Sequence, residues 1–258
     1  MPTLAQATST LTSSLPPASK EVIHALAPSG TLRAGINLSN FLLVTDKSDV
    51  KLPVGVSPDI ARILADHIGC DVEYKCFNSP GEVADAAESN QWDIGNIGAD
   101  PARESFIAFT NAYCEIESTC LVPAGSAIKT FAQVDQSGVR IATKHRAAYS
   151  LWLERNIKHA ELIQVDSIDA SFDAFAEQKL DVLAGLRPRL LDDAKRLPGS
   201  SVLADKFAAV QQAIGTPKNR DACGVKFLQQ FVTEVKQSGV VEALIDAHGV
   251  TGKLSVAQ

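Results

Sequence analysis

Apolar residues recur along this chain at two spacings. In SPDIARILADHIGC (57–70), Ile60, Ile63, Leu64 and Ile68 share one face at the three- and four-residue intervals of an amphipathic helix. Ser57 suits its N-cap, Pro58 its first turn and Gly69 its end. TLRAGINL before this helix and DVEYKCF after it read as strands. A shorter helix is predicted in ASKEVIHALAPSG, closed by Pro28 and Gly30. Two further segments, SPGEVADAAESNQWDIGNIGA (79–99) and SIDASFDAFAEQKLDVLAGLR (167–187), follow one plan. Each runs from a serine through a helix of small and apolar residues to a polar break, an aspartate and a short buried strand. One βαβ unit used twice predicts a mostly parallel α/β sheet in each half of the chain. Ligands of such sheets bind beyond the carboxyl ends of the strands, where these segments reach Gly98–Arg103 and Gly185–Arg187.

The rest of the pattern completes this reading. SGVRIATKHRAAYSLWLERNI is a strand, a loop and a helix, and AELIQV another strand. RPRLLDDAKRL is a helix, VLADKFAAVQQAIGTP is extended, and the tail holds two helices stopped by Gly239 and Gly249. Val225, Leu228, Phe231, Val232 and Val235 make one apolar stripe, read as core. Residues 1–17, rich in Ser, Thr and Pro, are predicted to be a disordered lead-in.

Composition narrows the classes. At 258 residues the chain is long enough for two lobes with a core each. A net charge of −6 with no basic cluster argues against a nucleic-acid partner. No apolar run approaches the roughly 18 residues of a membrane span. The first basic residue is Lys20, and no signal-peptide pattern precedes it, so a native start at Met1 implies the cytoplasm. Removal of a leader would instead imply the periplasm or the outside of the cell. The five cysteines lack CxxC spacing and read as free thiols. No P-loop, Ser-His-Asp set or metal-spaced His/Cys cluster is visible, and no cofactor, metal or catalytic residue is assigned.

Candidate chemistry centres on GNIGADPARESFIAFT (95–110), which leaves a buried strand, turns at Asp100-Pro101 and sets Arg103 beside a predicted helix start. Together with LRAGIN and GVSPDIARILADHIGCDVEY, the stretch WDIGNIGADPARESFIAFTNAY resembles solute-binding protein family 3, of the type II periplasmic binding protein fold, over about residues 30–250. This family serves polar amino-acid ABC importers. The resemblance implies two lobes on a double-strand hinge: 18–117 plus 212–258 in lobe 1, and 118–211 in lobe 2. It also implies that Arg103 clamps the ligand α-carboxylate, its planar fork matching two oxygens. Gly98, Ala99 and Asp100 would add to this site through their backbone; Asp100 could instead cap a helix starting at Pro101.

Three departures from the family pattern bear on the ligand. The loop after the first strand is NLSNFLL, where Asn37 and Asn40 bring amides, or merely turns, and Phe41 the one ring. The second-lobe loop reads ATKHRAAY, with Lys144, His145 and Arg146 where the family has hydroxyls. Leu186 and Arg187 stand where the family places an aspartate for the ligand ammonium. Arg103, Arg146 and Arg187 then favour a dicarboxylate or an acidic, N-blocked or phosphorylated small acid. Arg187 could instead pair with Asp192 or Asp193.

The function expected is a monomeric solute-binding protein closing on a small carboxylate ligand, amino-acid-like or dicarboxylate, with a permease partner if exported. The alternative is a cytoplasmic dehydratase or lyase on the same fold, with Asp100, His145 or Glu115 as acid or base.

Overall fold

The computed structural model describes residues 2–258. In chain order the first elements are α1 (Leu4–Ser14), α2 (Lys20–Leu26), β1 (Thr31–Asn37), α3 (Val56–Ile68), β2 (Asp71–Phe77), α4 (Pro80–Glu88), β3 (Ile94–Gly98) and β4 (Ile107–Val122). There follow β5 (Arg140–Lys144), α5 (Ala148–Asn156), β6 (Glu161–Val165), α6 (Ile168–Glu177), β7 (Val182–Leu186), α7 (Arg187–Arg196) and β8 (Ser201–Val202). β9 (Ala208–Pro217), α8 (Ala222–Gln237), α9 (Val240–Ala247) and β10 (Ser255–Val256) complete the chain.

Two compact units result: Met1–Glu115 with Gln211–Gln258, and Ile116–Val210. The chain passes between them twice, within β4 and within β9. In unit 1, β1 pairs in parallel with β2 and β3, and β9 adds antiparallel to β3. In unit 2, β5 pairs in parallel with β6 and β7, and β4 adds antiparallel to β7. β3 and β7 are buried along their whole length, as expected of strands covered on both faces.

The repeated segments fold alike. Ser79 and Ser167 cap α4 and α6 by accepting the N–H groups of Glu82 and Ala170. Each helix ends near a residue of positive φ, Asn90 or Lys179, just before the aspartate. That aspartate then accepts the backbone N–H of an arginine opening the neighbouring strand: Arg33 to Asp93 and Arg140 to Asp181, both at 2.9 Å. The guanidinium closes the loop on a carbonyl of the helix exit, Asn90 O for Arg33 and Lys179 O for Arg140. The staples differ in burial. The Asp93 side chain is wholly buried and also binds Arg220, whereas Asp181 stays 42% exposed.

Trp92 fills the core of unit 1, its Nε1 donating to Val83 O. The ring lies flat on Gly35 and Gly95, where a Cβ would meet it at 2.9 Å. These two strand glycines therefore serve close packing of an indole on the sheet.

One expectation fails at the N-terminus. Within the predicted disordered lead-in 1–17, Leu4–Ser14 is helical. A capping box between Thr3 and Gln6 starts it, and Ala7, Leu11 and Leu15, four residues apart, are buried. Its hydroxyls bond back to carbonyls of the preceding turn, as Thr8 does to Leu4 O and Thr12 to Thr8 O. A Ser/Thr-rich composition hid an amphipathic period.

Candidate functional site

In unit 1 the register Ile36↔Asn96 brings Asn37 and Gly98 to the same carboxyl edge of the sheet. The chain leaving β3 turns there. Asp100 Oδ1 accepts the N–H of Ala102 at 2.9 Å, and the backbone N–H of Arg103 donates to Asp100 O. The helix predicted to start here is a run of turns over 101–106, although Asp100 accepts the N–H of Ala102 as an N-cap would. Arg103 is buried, 3% exposed, and its Nη1 donates to Gly98 O at 2.6 Å. This bond ties the guanidinium to the end of β3.

Ala99 differs from expectation. Its N–H donates to Gln211 O at 2.7 Å and so is engaged by β9. Gln211 in turn donates through Nε2 to Glu115 Oε2 at 2.8 Å. This support behind the Arg103 turn has no sequence signal, since its members lie about a hundred positions apart. Asn37 and Asn40 are nearly buried and Phe41 is half-buried.

In unit 2, Lys144 ends β5 and is 3% exposed. His145 is exposed, and Arg146 takes a positive φ of 57° in the turn that opens α5. No side chain caps α5, whose N-cap is Ala147. Lys144, Arg146 and Arg187 all lie at the carboxyl ends of the parallel strands β5 and β7.

Arg187 is placed otherwise than the sequence suggested. Nε donates to Glu117 at 2.7 Å, Nη1 to Leu203 O and Nη2 to Ala204 O. Neither Asp192 nor Asp193 is its partner. Arg189 takes Asp193 and Asp169, and Asp192 takes Lys195. The Arg187 guanidinium, with Lys206 beside it, holds the Glu117 carboxyl below the usual carboxylate range. Arg187 is thus satisfied within unit 2, by Glu117 and two backbone carbonyls. Of the acid–base candidates, Asp100 closes a turn, Glu115 is bound by Gln211 and His145 faces solvent.

All five cysteines are free thiols, Cys114 and Cys120 fully buried. Among the described residues no group of His, Cys, Asp or Glu is arranged to hold a metal ion, and no helix is long and apolar enough to cross a membrane.

The sequence matches the bacterial extracellular solute-binding proteins, family 3, over residues 36–250. The chain belongs to this family and has its two-lobed type II periplasmic binding fold. α1 and α2 precede the matched region. No curated protein matches. Solved structures similar to it include a mutant of ArgBP from T. maritima (16% identity, TM-score 0.70, covering 88% of this chain and 99% of that one). An ancestral amino acid-binding protein, AncCDT-1, described as a precursor of cyclohexadienyl dehydratase, gives 19% identity and a TM-score of 0.71 over 89% and 99%. A putative binding component of an ABC transporter from Wolinella succinogenes, complexed with lysine, gives 18% and 0.70 over 84% and 95%. At these identities the likeness establishes the fold.

Proposed function

We propose that this chain is a monomeric solute-binding protein for a small carboxylate-bearing ligand, amino-acid-like or a dicarboxylate, delivered to an ABC-transporter permease. The observation that carries the reading is Arg103. A buried guanidinium, tethered to Gly98 O at the carboxyl edge of the sheet, stands in a family of solute binders. The planar fork of a guanidinium matches the two oxygens of a carboxylate. Lys144 and Arg146 are proposed as further ligand contacts and Phe41 as an apolar one; Arg187, spent on Glu117, is not. The extracellular character of the family supports a place outside the cytoplasm, against the cytoplasmic reading of the first residues.

The test is a thermal-shift screen of small mono- and dicarboxylates and amino acids against the parent and Arg103→Ala. A ligand at 100 times its Kd adds about 2.7 kcal/mol to the native state. An acid that stabilises the parent and not the variant supports the clamp. Equal shifts in both, or no shift from any acid, would sink it.

A further inference from the structure

In unit 1 the end of β9 and one face of α8 line a depression of about 650 Å3. Lys218 and Arg220, which follow β9, and Lys226 in α8 bring three cations to it. No acidic side chain among the described residues lines it, although the chain as a whole has a net charge of −6. The fold uses these cations only in part. Arg220 places Nη2 on Asn90 Oδ1 and Asp93 Oδ1, each at 2.6 Å, while its Nε is buried without a partner and its Nη1 donates to no described residue. Lys218 Nζ donates to Glu104 O at 2.8 Å, which leaves two of its three protons. The Lys226 side chain bonds to no described residue. Gln229 lines the same depression and adds an oriented donor: its Oε1 accepts the N–H of Asn111 at 2.9 Å, which turns Nε2 the other way. Asp221, beside Arg220 in sequence, is turned to Cys223 N as the cap of α8. Ala222 and Val225 supply an apolar wall.

We propose that this depression is a second ligand site, for a small organic phosphate. A cationic ligand would meet three like charges, and a neutral one would leave them uncompensated. A phosphate monoester brings about −1.5 to −2 charges and three strong acceptor oxygens, which suits ammonium, guanidinium and amide donors together. Size favours an organic phosphate over a bare ion. The volume lies within the range of about 300–1,000 Å3 of small-molecule sites, and Ala222 and Val225 give carbon a surface to lie on. The site is independent of Arg103: Arg220 is held by Asp93 at the amino end of β3, and Arg103 by Gly98 at its carboxyl end.

The experiment is isothermal titration of the full chain with ADP, inorganic phosphate and adenosine, at low and high salt, in the parent and in Lys226→Gln, Gln229→Glu, Lys253→Gln and Arg103→Ala. Glutamate at 229 keeps the acceptor for Asn111 and replaces the donor by a repelling oxygen. Lys253 is an exposed lysine of unit 1 outside the depression. Arg220 is left in place because it holds Asp93. The parent should bind ADP more tightly than inorganic phosphate, leave adenosine unbound and lose affinity as salt rises. Lys226→Gln and Gln229→Glu should each weaken ADP binding by about tenfold, the loss of a hydrogen bond to a charged group. Lys253→Gln and Arg103→Ala should bind ADP like the parent, and the unliganded melting temperatures of the two α8 variants should change little. A parent that does not bind ADP, or binds adenosine as tightly, overturns the proposal. Equal losses in Lys226→Gln and Lys253→Gln mean diffuse charge and overturn it too. A loss confined to Arg103→Ala moves the phosphate to Arg103 and removes the second site. Co-sedimentation with phosphatidylcholine vesicles containing phosphatidic acid separates a lipid source: binding to them without binding of ADP overturns the soluble ligand.

Discussion

Replacing Asp93 by asparagine should destabilise unit 1 severely, and the twin change in unit 2 should not. Asp93 is wholly buried and accepts four donors: Arg33 N at 2.9 Å, Arg33 Nε at 3.0 Å, Arg33 Nη2 at 2.7 Å and Arg220 Nη2 at 2.6 Å. Asparagine preserves the shape and removes the charge, leaving two guanidinium groups that are themselves only 23% and 13% exposed. Removing one partner of a buried ion pair costs about 3–5 kcal/mol, because the surviving charge is uncompensated. With about 2–4 °C lost per kcal/mol in a unit of this size, the transition of unit 1 should fall by about 6–20 °C. Asp181 holds the same place in unit 2, but its contact with Arg140 is 3.6 Å long and both side chains are over 40% exposed. Solvent screening limits that pair to about 1 kcal/mol or less. Differential scanning calorimetry at neutral pH, supported by urea unfolding followed by circular dichroism, reads both variants. Comparable losses in the two, or a loss below about 1 kcal/mol for Asp93→Asn, would show that burial does not set the strength of the staple.

Two other perturbations have definite outcomes. Gly55 sits at φ 152° before α3, and a Cβ there would collide with the Leu43 carbonyl oxygen and lie 2.7 Å from Val44 Cα. Gly55→Ala should cost about 2–4 kcal/mol by urea denaturation, from strain and overlap together. Burial pushes the Asp59 carboxyl up, but hydrogen bonds from His248 (2.8 Å) and Arg62 (3.2 Å) outweigh it and the net shift is downward. A depressed folded-state value means stabilisation that is full above about pH 5 and is lost as pH falls through that value. Asp59→Asn should flatten the acid limb of a urea-midpoint titration, and an unchanged limb contradicts the assignment.

The sequence made the periodic elements legible because each carries its own signal. α3, α4 and α6 have apolar faces and stop signals within a dozen residues, and serine caps start α4 and α6, whereas Ser57, expected to cap α3, lies inside that helix behind its N-cap Gly55; the repeat of 79–99 in 167–187 showed two similar halves. α1 was missed because serine and threonine outweighed the spacing of Ala7, Leu11 and Leu15. The turn at 101–106 was read as a helix because Asp100 makes the same bond to the second residue on as Asp221 makes at the start of α8, and only the latter is followed by a helix. Partner choice was illegible. Arg187 finds Glu117 seventy positions away, and Asp93 finds Arg33 and Arg220 at separations of 60 and 127.

The central claim is a carboxylate held by Arg103. Isothermal titration of one ligand skeleton in three forms, succinate, its singly charged monoamide and its neutral diamide, against the parent and Arg103→Lys tests it most directly. A planar two-point clamp requires that the diamide fail to bind and that lysine, a point charge, not restore parental affinity for succinate. Binding of the diamide as tight as that of succinate, or parental affinity in Arg103→Lys, would contradict it.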